Sequence, residues 1–127
     1  EKMSEEQPIF IFITDVNWFI KQVYTGEHKI NGFVENLLDK GRLHNIFFFG
    51  TIGLETANEV DYQKAFKLFV RDKVGIHFGG NVAGNRIFSF DGIPYKEQSK
   101  VQKAGLGITA SSLGDSCNTI VVPLARR

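Results

Sequence analysis

Ile9-Phe10-Ile11-Phe12-Ile13-Thr14-Asp15 is the stretch on which the fold turns. Five apolar, β-prone residues follow Pro8 without alternation and close on a threonine and an acid. Such a run suits a strand covered on both faces, as the strands of a parallel sheet are. A second run, Ile46-Phe47-Phe48-Phe49, is stopped by Gly50. The two are separated by about thirty residues, the span of a βαβ crossover. Within it, Ile30, Phe33, Val34, Leu37 and Leu38 fall at i, i+3, i+4, i+7 and i+8. That spacing predicts a helix with one apolar stripe turned to the sheet and Gly41 as its stop. A shorter helical turn is expected over residues 18–23, ending near Gly26. Tyr62, Ala65, Phe66, Phe69 and Val70 predict another helix, with Asn58 or Asp61 as N-cap.

Beyond about residue 73 the pattern changes. Ile76 and Phe78 alternate with His77 before Gly79-Gly80, and Ile87-Phe88-Ser89-Phe90 alternates into the turn Asp91-Gly92-Ile93-Pro94. Both read as strands, as does Thr119-Ile120-Val121-Val122-Pro123. Gly105 and Gly107 suggest a tight bend or a close backbone approach. The expected architecture is α/β, a parallel β-α-β core with a β-rich, partly antiparallel C-terminal third, in a single domain over 1–127.

Composition sets the outer limits. The chain has 127 residues, 43% of them hydrophobic and 12 of them Phe, which excludes general disorder. Fifteen basic residues balance 14 acidic ones, so there is no global electrostatic pull toward nucleic acid. The one cysteine, Cys117, excludes an internal disulfide framework and a multi-thiolate zinc site. No apolar run reaches the ~18 residues of a membrane span, and the polar, acidic opening is unlike a signal peptide. A soluble, intracellular-type domain is expected.

Several candidate sites can be weighed from residue types alone. Residues 79–86, GGNVAGNR, share the Gly-x-x-x-x-Gly frame of a phosphate-cradling loop, but Asn85-Arg86 stands where Lys-Ser or Lys-Thr is required. No helix is expected after it, so this reads as a glycine-rich turn. Asp15 lies where open α/β sheets place their ligands, and it is equally suited to cap a following helix. Thr51 holds the matching place on the second strand, fit to sense a phosphate or simply to end the strand. Arg42, just after the helix stop, suits a subunit interface or a solvated helix C-terminus. His28, His44 and His77 are scattered, with no acid at ligand spacing, so no metal site is expected. Asp115 near Cys117 would raise rather than lower the thiol pKa, which argues against a nucleophile. Ser111-Ser112 lacks the elbow of a catalytic serine.

Taken together, residues 9–15, residues 31–51 (NGFVENLLDKGRLHNIFFFGT), residues 75–107 (GIHFGGNVAGNRIFSFDGIPYKEQSKVQKAGLG) and the terminal NTIVVPLARR resemble one family. The chain is similar to the C-terminal part of an FtsK/SpoIIIE-type motor ATPase domain, in the branch of the last, degenerate module of EssC-type type VII secretion motors. The first two segments are generic to the superfamily and the third is more specific to the branch. The resemblance implies a RecA-like P-loop ATPase fold lacking the Walker A half, because the chain starts just before the Walker B strand. It implies ATP and magnesium as cofactors of the intact domain only. Asp15 then occupies a vestigial Walker B position, Thr51 a vestigial sensor position and Arg42 a subunit-interface position.

The departures bear on activity. The family's Asp-Glu or Asp-Asp is Asp15-Val16 here, and its Ala-Thr-Gln is Gly50-Thr51-Ile52. With no Walker A loop, these changes lead to an expected module that does not hydrolyse ATP. It would instead engage secreted protein substrates or neighbouring motor modules on the cytoplasmic side of a bacterial membrane, as a soluble domain of a membrane-anchored protein. The alternatives are a truncated piece of an active, DNA-translocating motor and an unrelated flavodoxin-like binding domain. Lys96, Lys100, Lys103, Arg126 and Arg127 are the only local basic patch offered to nucleic acid. A sheet without its first strands would expose apolar surface, so self-association across the cut face is also expected.

Overall fold

The alternating Ile/Phe run after Pro8 forms strand β1, Ile9–Ile13, and the second run forms β2, Ile46–Gly50. A computed structural model describes residues 5–111 and 116–123. β1 and β2 pair in parallel, Ile9 opposite Ile46 and Ile13 opposite Gly50. The pairing extends past both strand ends through Ile9 N–H to the Asn45 carbonyl and Thr51 N–H to the Ile13 carbonyl. The chain divides into two compact units, Glu1–Arg71 and Asp72–Arg127. It is a mixed α/β protein, with its parallel pair in the first unit and an antiparallel sheet in the second.

In the first unit, helices α1, Val16–Thr25, and α2, Asn31–Lys40, fill the crossover. The α1 helix is longer than the turn expected over residues 18–23, because Asp15 caps it and starts it earlier. Its Val16, Ile20 and Val23, at i, i+4 and i+7, are buried. The α2 helix lies where the spacing predicts, but only Val34 of its stripe is fully buried and Phe33 is 68% exposed. Gly41 does not end the helical path. The chain tightens into a 3₁₀ turn, Gly41–His44, and Asn45 takes the left-handed conformation (φ 55°) that closes it. Two short helices follow β2: α3, Leu54–Ala57, and α4, Lys64–Phe69. Neither Asn58 nor Asp61 is the N-cap of α4. Asn58 ends α3, while Gln63 precedes α4 without a side-chain cap.

That missing cap is supplied from another helix. The Tyr24 hydroxyl of α1 accepts the Ala65 N–H in the first turn of α4 at 2.8 Å and donates to Glu35 of α2 at 2.6 Å. Lys64 lies 3.5 Å from the same carboxylate. One phenol thus ties three helices and satisfies a helix-end donor. Burial, and then the hydrogen bond to Glu35, push the Tyr24 phenol above its usual 10.0. A raised folded-state value means that the stabilisation is complete below the unfolded pKa and is lost as pH rises through the folded one. Tyr24 is therefore expected to ionise after Tyr62 and Tyr95 in an ultraviolet titration, with stability falling in that alkaline window. Tyr24→Phe should lower stability by about 1–2 kcal/mol near neutrality and flatten that alkaline fall. An unchanged alkaline profile in the variant would refute this assignment.

Other ties are more exposed. Arg71 pairs with Asp39 at 2.6 Å, and Lys21 pairs with Glu59, which also accepts from Asn17. The hydrogen bond from Lys21, and then that from Asn17, hold the Glu59 carboxyl below its ordinary range.

In the second unit, β3, Gly75–Phe78, β4, Leu106–Ala110, and β5, Thr119–Val121, form an antiparallel sheet in the order β3-β4-β5. Residues 87–90, expected as a strand, are not one. Asn85 folds them back by accepting both the Ile87 and Phe88 N–H groups on its Oδ1, at 2.8 and 3.0 Å. An Asx turn of this kind takes the amides a strand ladder would need. Phe88 then lays its ring where a Gly75 side chain would stand, and Phe90 joins Val82, Ile108 and Ala110 in the core. Residues 106–110, read as a bend, are instead the central strand β4, with Gly107 accommodating Phe78 and Ile76 of β3. The bend itself falls at Gly105, φ 84°. A short helix, α5, spans Tyr95–Gln98.

Candidate functional site

The largest departure from expectation concerns the faces of the β1–β2 pair. A continuous apolar run predicts cover on both sides, yet Phe10 is 54% exposed, Phe12 74%, Phe47 36% and Phe49 49%. Period-two geometry and the register put these four rings on one face. Phe10 stacks on Phe47 at 5.6 Å and Phe12 on Phe49 at 5.3 Å, with Phe10 and Phe49 at 6.1 Å. The face is thus an ordered aromatic layer open to solvent, and no charged side chain lies in Ile9–Ile13 or Ile46–Gly50. Two separate apolar runs signalled buried strands; only their pairing shows that the phenylalanines share a face.

At the C-terminal end of the same pair the structure brings Asp15 and Thr51 together. Val16 N–H donates to the Thr51 carbonyl at 3.0 Å, and the Thr51 hydroxyl donates to the Thr14 carbonyl at 2.6 Å. Asp15 Oδ1 accepts the Trp18 N–H at 3.0 Å. Both side chains therefore do structural jobs: one starts α1 and the other ties two strand ends. A triphosphate with magnesium needs a second acid or a water-polarising group beside Asp15, and a lysine with a cradle of helix-start amides. Val16 occupies the neighbouring position and presents only methyl groups. The residues here do not fit that group. Arg42, in the 3₁₀ turn before β2, sits at the other end of the strand pair, beside the Glu6 segment that contacts His44 and Asn45.

The glycine-rich loop takes left-handed backbone at Gly79 (φ 64°) and Gly80 (φ 53°), then makes a three-residue 3₁₀ turn, Val82–Gly84. No α-helix starts there to offer amides to a phosphate. The loop is instead locked around His77, which is only 5% exposed. His77 Nε2 donates to the Gly79 carbonyl at 2.7 Å, which fixes the tautomer, and Nδ1 accepts from the Asn85 amide at 3.1 Å. Asn85 thus holds both the histidine and the Asx turn. His28, His44 and His77 lie on different elements, and among the described residues no group of three or more His, Cys, Asp or Glu could hold a metal ion.

An open cleft of about 240 Å³ in the second unit is lined by Ile93, Pro94, Glu97, Lys100, Ile108 and Cys117. It is smaller than the ~300 Å³ at which ligand pockets begin. Lys100 of the candidate basic patch pairs with Glu97 at 2.7 Å. Arg126 and Arg127 lie outside the described residues, as do Ser112 and Asp115. Among the described residues no helix is long and apolar enough to cross a membrane. No family model, curated protein or solved structure matches this chain.

Proposed function

We propose that this chain is an ATPase-like module of an FtsK/SpoIIIE-type secretion motor, of the kind that ends EssC, and that it binds protein rather than hydrolysing ATP. Its partners are secreted protein substrates or neighbouring modules of the motor on the cytoplasmic side of a bacterial membrane. The parallel strand pair with a helical crossover agrees with the C-terminal part of a RecA-like P-loop domain, and the sequence of residues 75–107 supports the branch. The observation that carries the reading is the state of Asp15. In a hydrolysing motor a carboxylate at this strand end helps hold magnesium; here its oxygen caps α1 and its neighbour is a valine.

Turnover of Mg·ATP tests the reading. Asp15→Asn keeps the N-cap, since Asn serves there as well as Asp, so it removes the charge without removing the helix start. The expected result is turnover at the buffer background in both proteins. Turnover above background that Asp15→Asn abolishes would overturn the proposal and make the chain part of an active motor.

A further inference from the structure

The open phenylalanine face points to a particular occupant: we infer that Phe10, Phe12, Phe47 and Phe49 form an isologous contact with a second copy of this chain, sheet face on sheet face. The inference rests on the proposed interaction role and names one partner for it.

The face has what a self-pairing surface needs. Its rings are already stacked at 5.3–6.1 Å, so little side-chain freedom is lost when they are covered. Its strands carry no charge or side-chain hydrogen-bonding group to select a polar partner. A two-fold axis sets such a patch against its own copy without opposing like charges, and the whole chain has a formal charge of only +1. Aromatic residues clustered in this way are the usual energetic centre of an interface.

Area decides how strong the contact is. The rings are about half exposed on average. At roughly 200 Å² for a whole phenylalanine, the four offer on the order of 400 Å² per copy. A patch of that size is at the upper range found on monomers. Two facing copies would cover roughly 800 Å² from the rings alone, short of the ~1,200 Å² of a durable interface. The pair should therefore be reversible and concentration-dependent. Each strand also keeps one edge without a partner strand among the described residues. Edge addition would produce open-ended chains, whereas face pairing closes at two.

Sedimentation velocity of the full chain, from low micromolar to high micromolar concentration, tests this. A monomer–dimer equilibrium is expected in the wild type, with Phe12→Glu weakening it at least about a hundredfold by placing a charge in the contact. Phe12 is 74% exposed, so the substitution leaves the core alone. Phe49→Ser is a second variant expected to act in the same direction, and far-ultraviolet circular dichroism checks that both fold. A wild type that stays monomeric throughout, a dimer indifferent to both variants, or growth into larger open-ended species would each overturn the inference. None of these outcomes alters ATP turnover, so the inference can fail while the functional proposal stands.

Discussion

Ile20→Ala is expected to destabilise the first unit by about 3 kcal/mol. Ile20 is 0% exposed and lies on α1 between the buried Val16 and Val23. Truncation removes the transfer energy of three carbons and leaves a void that α1, capped at Asp15 and tied at Tyr24, cannot collapse into. For a unit of this size the change corresponds to a melting temperature lower by about 15 °C. Amides of the β1–β2 pair should exchange faster, while those of β3 and β4 change less. A loss below about 1 kcal/mol, comparable to a surface substitution, would show that α1 is not the centre of this core.

Asn85→Ala should do the converse in the second unit. Three hydrogen bonds meet on that side chain, two from backbone amides and one to the buried His77. Alanine leaves the Ile87 and Phe88 N–H groups and His77 Nδ1 without those partners, at a cost of about 2–3 kcal/mol. Exchange should accelerate at β3 and β4 rather than at β1. Asn85→Asp separates the two functions of the side chain. It keeps both amide contacts but turns an acceptor toward Nδ1, where the lone pair would be repelled. A proton on His77 would restore the contact as an ion pair, so this variant should be less impaired in mild acid than above neutrality. Equal impairment at both pH values would mean that the Asn85–His77 contact contributes nothing.

What could be read from the chain beforehand follows from whether the signal was local. The α2 helix repeats its apolar residues at the helical period and was legible, and the two runs at residues 9–13 and 46–50 revealed the parallel pair. The cap at Asp15 was also visible, as one of two readings of an acid before an apolar helix. Residues 87–90 misled because apolar alternation was not the deciding force there. The Asn85 side chain, two residues upstream, competes for the backbone donors and wins. β4 was hidden because Gly105 and Gly107 resemble turn residues, although Gly107 is needed so that Phe78 and Ile76 can lie across the strand. The missing cap of α4 had no sequence signal at all, since the group that replaces it, Tyr24, lies 41 residues away.

The way α1 begins has a consequence for how such chains diverge. An oxygen that receives the Trp18 amide can come from serine, threonine or asparagine as readily as from aspartate. Once starting a helix is the job of this position, a negative charge there is no longer under selection, and drift among these four residues costs little. Searches that recognise motor descendants by an acid at this strand end would then pass over sister proteins that keep the same helix start, and the shape of the turn would be the more durable marker.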